Sequence, residues 1–150
     1  MADKQVVVFR ILSEEYGLEI SGIQEIVRYQ DITRIPEAPL FIKGIVNLRG
    51  QVIPVVDLKR RFYQVDSQVT EDTRIVVVKV DDKTIGIIAD EVSEVLRIPE
   101  EAIEPTPTLL NSFNQSGIIG VGKLEGRLLI LLDLENTLSS EELNEIKKVV

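Results

Sequence analysis

QVVVFRILSEEYGLEISGIQEIVR (Gln5–Arg28) and RIVVVKVDDKTIGIIADEVSEVLR (Arg74–Arg97) are two versions of one segment. A shift of 69 positions lays Val7 on Val76, Val8 on Val77, Gly17 on Gly86, Ile23 on Val92, Glu25 on Glu94 and Arg28 on Arg97, without a gap. Further along the register becomes 76, and GIVNLRGQVIPVVDL (Gly44–Leu58) lies over GVGKLEGRLLILLDL (Gly120–Leu134). There Gly44/Gly120, Leu48/Leu124, Gly50/Gly126, Asp57/Asp133 and Leu58/Leu134 coincide. Repeats of this length are supersecondary units that bury a shared apolar surface. One unit is used twice.

The unit reads as short β-strands. Gln5–Leu12 is a β-branched run, Ser13-Glu14-Glu15 a turn, and Tyr16–Ile20 the returning strand. Ile75–Val80, a turn at Asp81-Asp82-Lys83 and Thr84–Ala89 repeat that hairpin. Ile23–Tyr29 and Val92–Ile98 follow as extended segments, and Pro39–Lys43 is read as one helical turn. Gly44–Arg49 and Gln51–Asp57 form a second hairpin bending at Gly50; Pro54 makes the returning strand an edge or a bulged one. Its copy pairs Gly120–Leu124 with Arg127–Leu132. Gln64–Asp72 is the linker between copies, and Pro99–Ser116 a long surface connection. Ser139 with Glu142 makes a capping box, Leu138 and Leu143 a hydrophobic staple, and Lys147 and Lys148 suit a helix C-terminus. A helix over 139–149 follows. Strands this short, with tight hairpins and little helix, predict a mainly β fold of paired small barrels, because closure removes the exposed edges of an open sheet.

Composition narrows the function. The 150 residues match one domain with a sizeable core, 44% apolar and 28% charged. No stretch approaches a membrane span, and the N-terminus lacks the cleavage pattern of a signal peptide. With no cysteine and no histidine, disulfides, thiolate zinc sites, thiol nucleophiles and imidazole bases are excluded. A net charge of −8 repels phosphate backbones, and 5% aromatic residues without tryptophan give little for bases to stack on. The expectation is a cytoplasmic protein that takes no cofactor and no metal, binds no nucleic acid and does not insert into membrane.

Several stretches look like sites and have plainer readings. Gly117–Leu124 meets most of a phosphate-loop pattern, yet Leu124 stands where a hydroxyl must bind magnesium, and a strand follows instead of a helix N-terminus. Asp57 and Asp133 each follow an apolar strand, as a phosphoacceptor does, but their presence in both copies favours helix capping. Asp81-Asp82 is a solvated turn. Glu25 and Glu94 read as wet-face residues beside Arg28 and Arg97. Arg49 differs: its counterpart is Glu125, so the two hairpin tips carry opposite charge. Either the first tip meets something the second does not, or Arg49 is an exposed arginine drifting freely.

Tyr16-Gly17, Gln24-Glu25-Ile26, Thr33-Arg34-Ile35-Pro36, Phe41–Gly50 (FIKGIVNLRG) and Val52–Leu58 (VIPVVDL) together resemble the CheW family of bacterial chemotaxis adaptors. The Asn-Leu-Arg-Gly hairpin before a proline-bearing strand is the specific marker, and the likeness covers nearly the whole chain. It implies a single domain (1–150) of two intertwined five-stranded SH3/OB-like barrels with short helices and a C-terminal helix. Subdomain 1 is expected over about 13–72 and subdomain 2 over about 73–138, with strand 5–12 free to pack with the latter. The resemblance also implies a role without catalysis, holding the histidine kinase CheA to the cytoplasmic tips of methyl-accepting chemoreceptors. Receptor contacts fall on Ile23, Glu25, Gly44 and Arg49, and kinase contacts on Gly86, Val92 and Val95, although Val92 and Val95 read equally as core. With no kinase core, receiver domain or histidine beside it, the expectation is a free-standing adaptor recruited to receptor arrays. The competing readings are a nucleic-acid-binding small barrel and a carboxylate-only hydrolase.

Overall fold

A computed structural model describes residues 3–65, 68–80, 82–104, 118–133 and 144–146. The strands are β1 (Asp3–Ile11), β2 (Glu14–Glu19), β3 (Ile23–Arg28), β4 (Ile42–Leu48), β5 (Gln51–Val56), β6 (Arg74–Val80), β7 (Lys83–Ala89), β8 (Glu91–Pro99), β9 (Ile103–Glu104), β10 (Ile118–Leu124) and β11 (Arg127–Leu132). One helix, α1 (Leu58–Tyr63), follows β5, and 3₁₀ turns at Ile20–Gly22 and Glu100–Ala102 follow β2 and β8. Two mixed sheets result, ordered β8-β1-β2-β11-β10-β9 and β3-β6-β7-β5-β4.

The hairpin that opens each copy lies in the sheet of the other. β1 pairs with β8 and β2 runs parallel to β11, through Tyr16 opposite Ile130 and Gly17 opposite Leu131. Reciprocally, β6 pairs with β3 and β7 runs parallel to β5, through Gly86 opposite Val55 and Ile87 opposite Val56. The sheets therefore divide the chain differently from a split into 13–72 and 73–138: β2 sits in the second barrel, and β6 and β7 in the first. The paired glycines mark these parallel seams. A Cβ on Gly17 would lie 3.0 Å from Leu131 Cδ2, and one on Gly86 2.8 Å from Ile75 Cγ2.

Each barrel closes where its outer strand curls back onto the last hairpin. In the second, β9 pairs with β10, Ile103 opposite Gly122 and Glu104 opposite Val121. In the first the closing segment is a single bridge, Thr33 with Ile45, held by two 2.9 Å backbone bonds. That difference makes one sheet six-stranded and the other five-stranded, although the two barrels are built alike.

The strand patterns follow from burial on both faces. Ile75 and Val77 fill the first barrel with Val46, Leu48, Ile53, Val55 and Ile88, and Val6 and Val8 fill the second with Ile98, Leu129 and Leu131. The alternate residues Val76, Val78 and Val80 join Phe9, Ile11, Tyr16, Leu18, Val56, Leu58, Ile85, Ile87 and Leu132 in a third core between the barrels. A strand covered on both faces reads as a continuous apolar run, as RIVVVKV does.

Local readings are corrected in three places. β5 is an interior strand, between β7 and β4, and its neighbouring irregularity lies at Ile42/Gly44 instead of Pro54. Proline is tolerated because the parallel pairing with β7 begins one residue later, at Val55. Pro39–Lys43 shrinks to one hydrogen-bonded turn that ends early: the Ile42 amide donates to the Pro39 carbonyl at 2.9 Å, and β4 already starts at Ile42. The first hairpin turns at Leu12-Ser13, one residue early, with Leu12 at φ +58°. The aspartate reading holds at Asp57, whose carboxylate caps α1 by accepting from the Arg60 amide at 3.2 Å. Residues 134–143 and 147–150, and with them the capping box and staple of the C-terminal helix, lie outside the described residues. Within it, 144–146 are helical and Ile146 is buried in the core between the barrels. Among the described residues no helix is long and apolar enough to cross a membrane.

Candidate functional site

A groove of about 320 Å³ opens between the barrels where β2 passes into β3. Leu18, Ile23, Val78, Ile119 and Leu132 line it, and Glu19, Lys79 and Asp133 bring charge to it. Both sheets contribute walls. Ile23, the first residue of β3, is half-buried there and packs against the core between the barrels.

Glu25 and Arg49 meet. Arg49 and Gly50 are the two central residues of the β4–β5 turn, both at positive φ (+50° and +88°), the type I′ geometry that suits hairpin twist. The Asn47 carboxamide oxygen accepts from the Gly50 amide at 2.8 Å and steadies the bend. From that tip the Arg49 guanidinium donates to the Glu25 carboxylate on β3, so the ion pair joins the two end strands of the sheet. The Arg49 side chain remains 70% exposed. Gly44, earlier in β4, is buried against the closing segment: it sits at φ +152°, and a Cβ there would lie 2.2 Å from the Thr33 carbonyl oxygen.

The second barrel carries the same clasp, with its arginine moved across the turn. Glu94, the counterpart of Glu25, accepts from Arg127 at 3.1 Å, and Arg127 also forks onto Glu15 at 3.0 and 2.7 Å. In the repeat register Arg49 matches Glu125 while Gln51 matches Arg127. The sign reversal at the tips is thus compensated two residues on. Glu25 and Glu94 are partnered by these hairpin arginines, not by Arg28 and Arg97. The hydrogen bonds that Arg127 donates to Glu15, and then to Glu94, push its pKa up from its usual value.

Of the residues assigned to the second surface, Gly86 is buried at the parallel seam and Val92 is half-buried against the core between the barrels. Val95 is 51% exposed on β8, the outer strand of its sheet. The lysine of the phosphate-loop-like stretch, Lys123, lies in β10 and faces Glu104 at 3.4 Å.

Two buried polar contacts escaped sequence reasoning. Lys59 on α1 reaches Asp90 at 2.8 Å, and the hydroxyls of Tyr16 and Tyr63 hydrogen-bond in a stack formed with Phe9 and Phe62. Burial, followed by the bond to Tyr63, pushes the Tyr16 pKa far above its ordinary 10. The folded state therefore holds the Tyr16 proton more tightly than the unfolded chain. The resulting stability is complete below pH 10 and is lost as pH rises beyond it, at about 1.4 kcal/mol per pH unit per proton. Tyr16→Phe should flatten the alkaline fall in urea-midpoint stability; an unchanged slope would contradict this.

The CheW-like domain model matches residues 5–142. The chemotaxis protein CheW of Klebsiella aerogenes is 38% identical over 146 residues, covering 97% of this chain and 88% of that protein. Its namesake in Helicobacter pylori is 36% identical over 137 residues, covering 91% and 82%. The crystal structure of the scaffolding protein TtCheW from Thermoanaerobacter tengcongensis superimposes with a TM-score of 0.82 at 38% identity, covering 95% of this chain and 92% of that one. Paired barrels, exchanged hairpins and a matching family model across nearly the whole chain lead to one conclusion: it belongs to the CheW-like domain family.

Proposed function

We propose that this chain is a chemotaxis adaptor that holds the histidine kinase CheA to the cytoplasmic tips of chemoreceptors, by docking alone and without covalent chemistry. The observation that carries the reading is the groove between the barrels, apolar at Leu18, Ile23, Val78 and Ile119 and rimmed by Glu19, Lys79 and Asp133. Such a trough suits the apolar face of an amphipathic helix, as a receptor tip would present. The buried apolar strip supplies affinity, while the charged rim and the Glu25–Arg49 clasp set register and partner choice. Gly44 and Gly86, both buried, serve these surfaces indirectly by letting the backbones of the first barrel pack closely. Val95, exposed on β8 of the other barrel, offers the kinase a separate face, with Val92 supporting it from the core side. The protein then works in the cytoplasm, recruited to membrane-bound receptors by contact.

Arg49→Glu tests the assignment. It sets two carboxylates together at an exposed tip, so the expected loss of receptor-fragment binding is about tenfold, larger at low salt. Kinase binding should be unchanged. Equal recovery of receptor fragment by parent and variant in pull-downs at both low and high salt would refute the role of this tip.

A further inference from the structure

Among the described elements the chain passes between the two sheets at two places, through Ile20–Gly22 between β2 and β3 and through Asp90 between β7 and β8. The repeat makes these crossings equivalent, since Ser21 and Asp90 share a register position. Their surroundings differ. The first crossing borders the open groove, whereas α1 lies across the second.

The contacts at the second crossing run from one barrel to the other. Lys59, whose side chain is 8% exposed, places its Nζ 2.8 Å from Asp90 Oδ2. The same oxygen accepts from the Leu12 amide at 2.9 Å, and the Asp90 amide donates to the Arg10 carbonyl at 2.9 Å. Leu12 is held at φ +58°, which a leucine does not choose unaided. At the other end of α1 the Tyr63 hydroxyl bonds to that of Tyr16, whose ring stacks on Phe9 at 5.9 Å and on Phe62 at 6.0 Å. Helix α1 continues from β5 of the first barrel, while Arg10, Leu12, Tyr16 and Phe9 belong to the second.

A buried ion pair is a poor source of net stability, because apolar side chains of like volume serve as well. What it does supply is direction. Lys59 finds its partner in the one residue joining β7 to β8, and that residue is fixed in turn by the β1–β2 hairpin. From this geometry we infer that α1 is a clasp setting the angle between the barrels and, through that angle, the width of the groove at the equivalent crossing. The groove has walls from both barrels, so any change in their angle opens or narrows it. The inference concerns the shape of the groove whatever occupies it, and stands apart from the adaptor reading.

The chain has no cysteine, so Gln24→Cys on β3 and Lys123→Cys on β10, both exposed, place one spin label on each barrel. Lys59→Met with Asp90→Ala removes both charges together and leaves neither buried alone. The parent should give a single narrow label-to-label distance distribution; in the double variant it should broaden about twofold, and exchange of the Leu12 amide should quicken about tenfold or more. Tyr63→Phe, which keeps the ring and removes the hydroxyl, should broaden the distribution in the same sense to a smaller degree. Faster Leu12 exchange with an unchanged distribution in the double variant overturns the inference. Should the double variant fail to fold, Tyr63→Phe decides: broadening supports the clasp and an unchanged distribution overturns it.

Discussion

Gly44→Ala should cost more than about 3 kcal/mol of stability in urea unfolding, while Gly50→Ala, six residues away in the same hairpin, should cost about 1 kcal/mol. Both glycines have positive φ, +152° and +88°. Only one is crowded. A Cβ on Gly44 would fall 2.2 Å from the Thr33 carbonyl oxygen and 2.6 Å from the Ile32 side chain, and a backbone carbonyl cannot swing aside as a flexible side chain can. Thr33 is itself fixed by two 2.9 Å bonds to Ile45 that close the first barrel, so relieving the clash means opening that closure. Nothing lies within 4 Å of a Cβ on Gly50, where only the strained turn is at issue. Gly120→Ala should fall between the two, since its Cβ would meet the Glu104 carbonyl at 2.9 Å. Equal costs at Gly44 and Gly50 would show that the first barrel does not close through Thr33.

Much of this architecture is readable from the residues because the repeat exposes it. Gly17/Gly86 and Gly44/Gly120 were equivalent before any packing was known, and each pair proves to mark one kind of close approach, the parallel seam or the barrel closure. Which hairpin joins which sheet is not readable from apolar patterning; only the family resemblance leaves strand 5–12 free to pack with the second barrel. VVVF and IVVVKV have the same period and the same apolarity, so alternation identifies strands but leaves the partner open. The Arg49/Glu125 contrast is plain in the sequence, but with Arg127 on Glu94 and Glu15 it is a displaced arginine and not a lost one. The signal lay in the sequence, as Gln51 over Arg127, but only a structure shows that an arginine two residues further on reaches the same glutamate. Lys59–Asp90 had no such signal. A lysine after an apolar strand ordinarily points to water, and the β7–β8 crossing that buries its partner exists only in the folded chain. Val92 and Val95, alike on paper, part in burial along β8: Val92 packs against the core between the barrels, while Val95 is exposed.

Phe9→Ala should destabilise the protein by about 3–5 kcal/mol, the cost of a cavity where a large side chain is fully buried. Phe9 has no exposure, stacks on Tyr16 and sits in the core between the barrels, not within either of them. The effect should therefore reach both barrels. Phe9 belongs to the first copy but is carried in the second barrel, where it faces Val76 and Val78, second-copy residues lodged in the first. Because each barrel holds a hairpin of the other copy, neither can unfold alone without withdrawing strands from its neighbour. Backbone circular dichroism and tyrosine fluorescence should report one coincident urea transition in parent and variant, shifted to lower midpoint with little change in slope. The conservative Ile53→Val, inside the first barrel only, should cost about 0.5–1.5 kcal/mol and shift the same single transition. Two separated transitions in Phe9→Ala, with one barrel keeping its midpoint, would mean that the exchanged hairpins do not bind the halves into one cooperative unit. The groove would then lie between two bodies free to part, and a helical partner would have to organise it on binding instead of finding it formed.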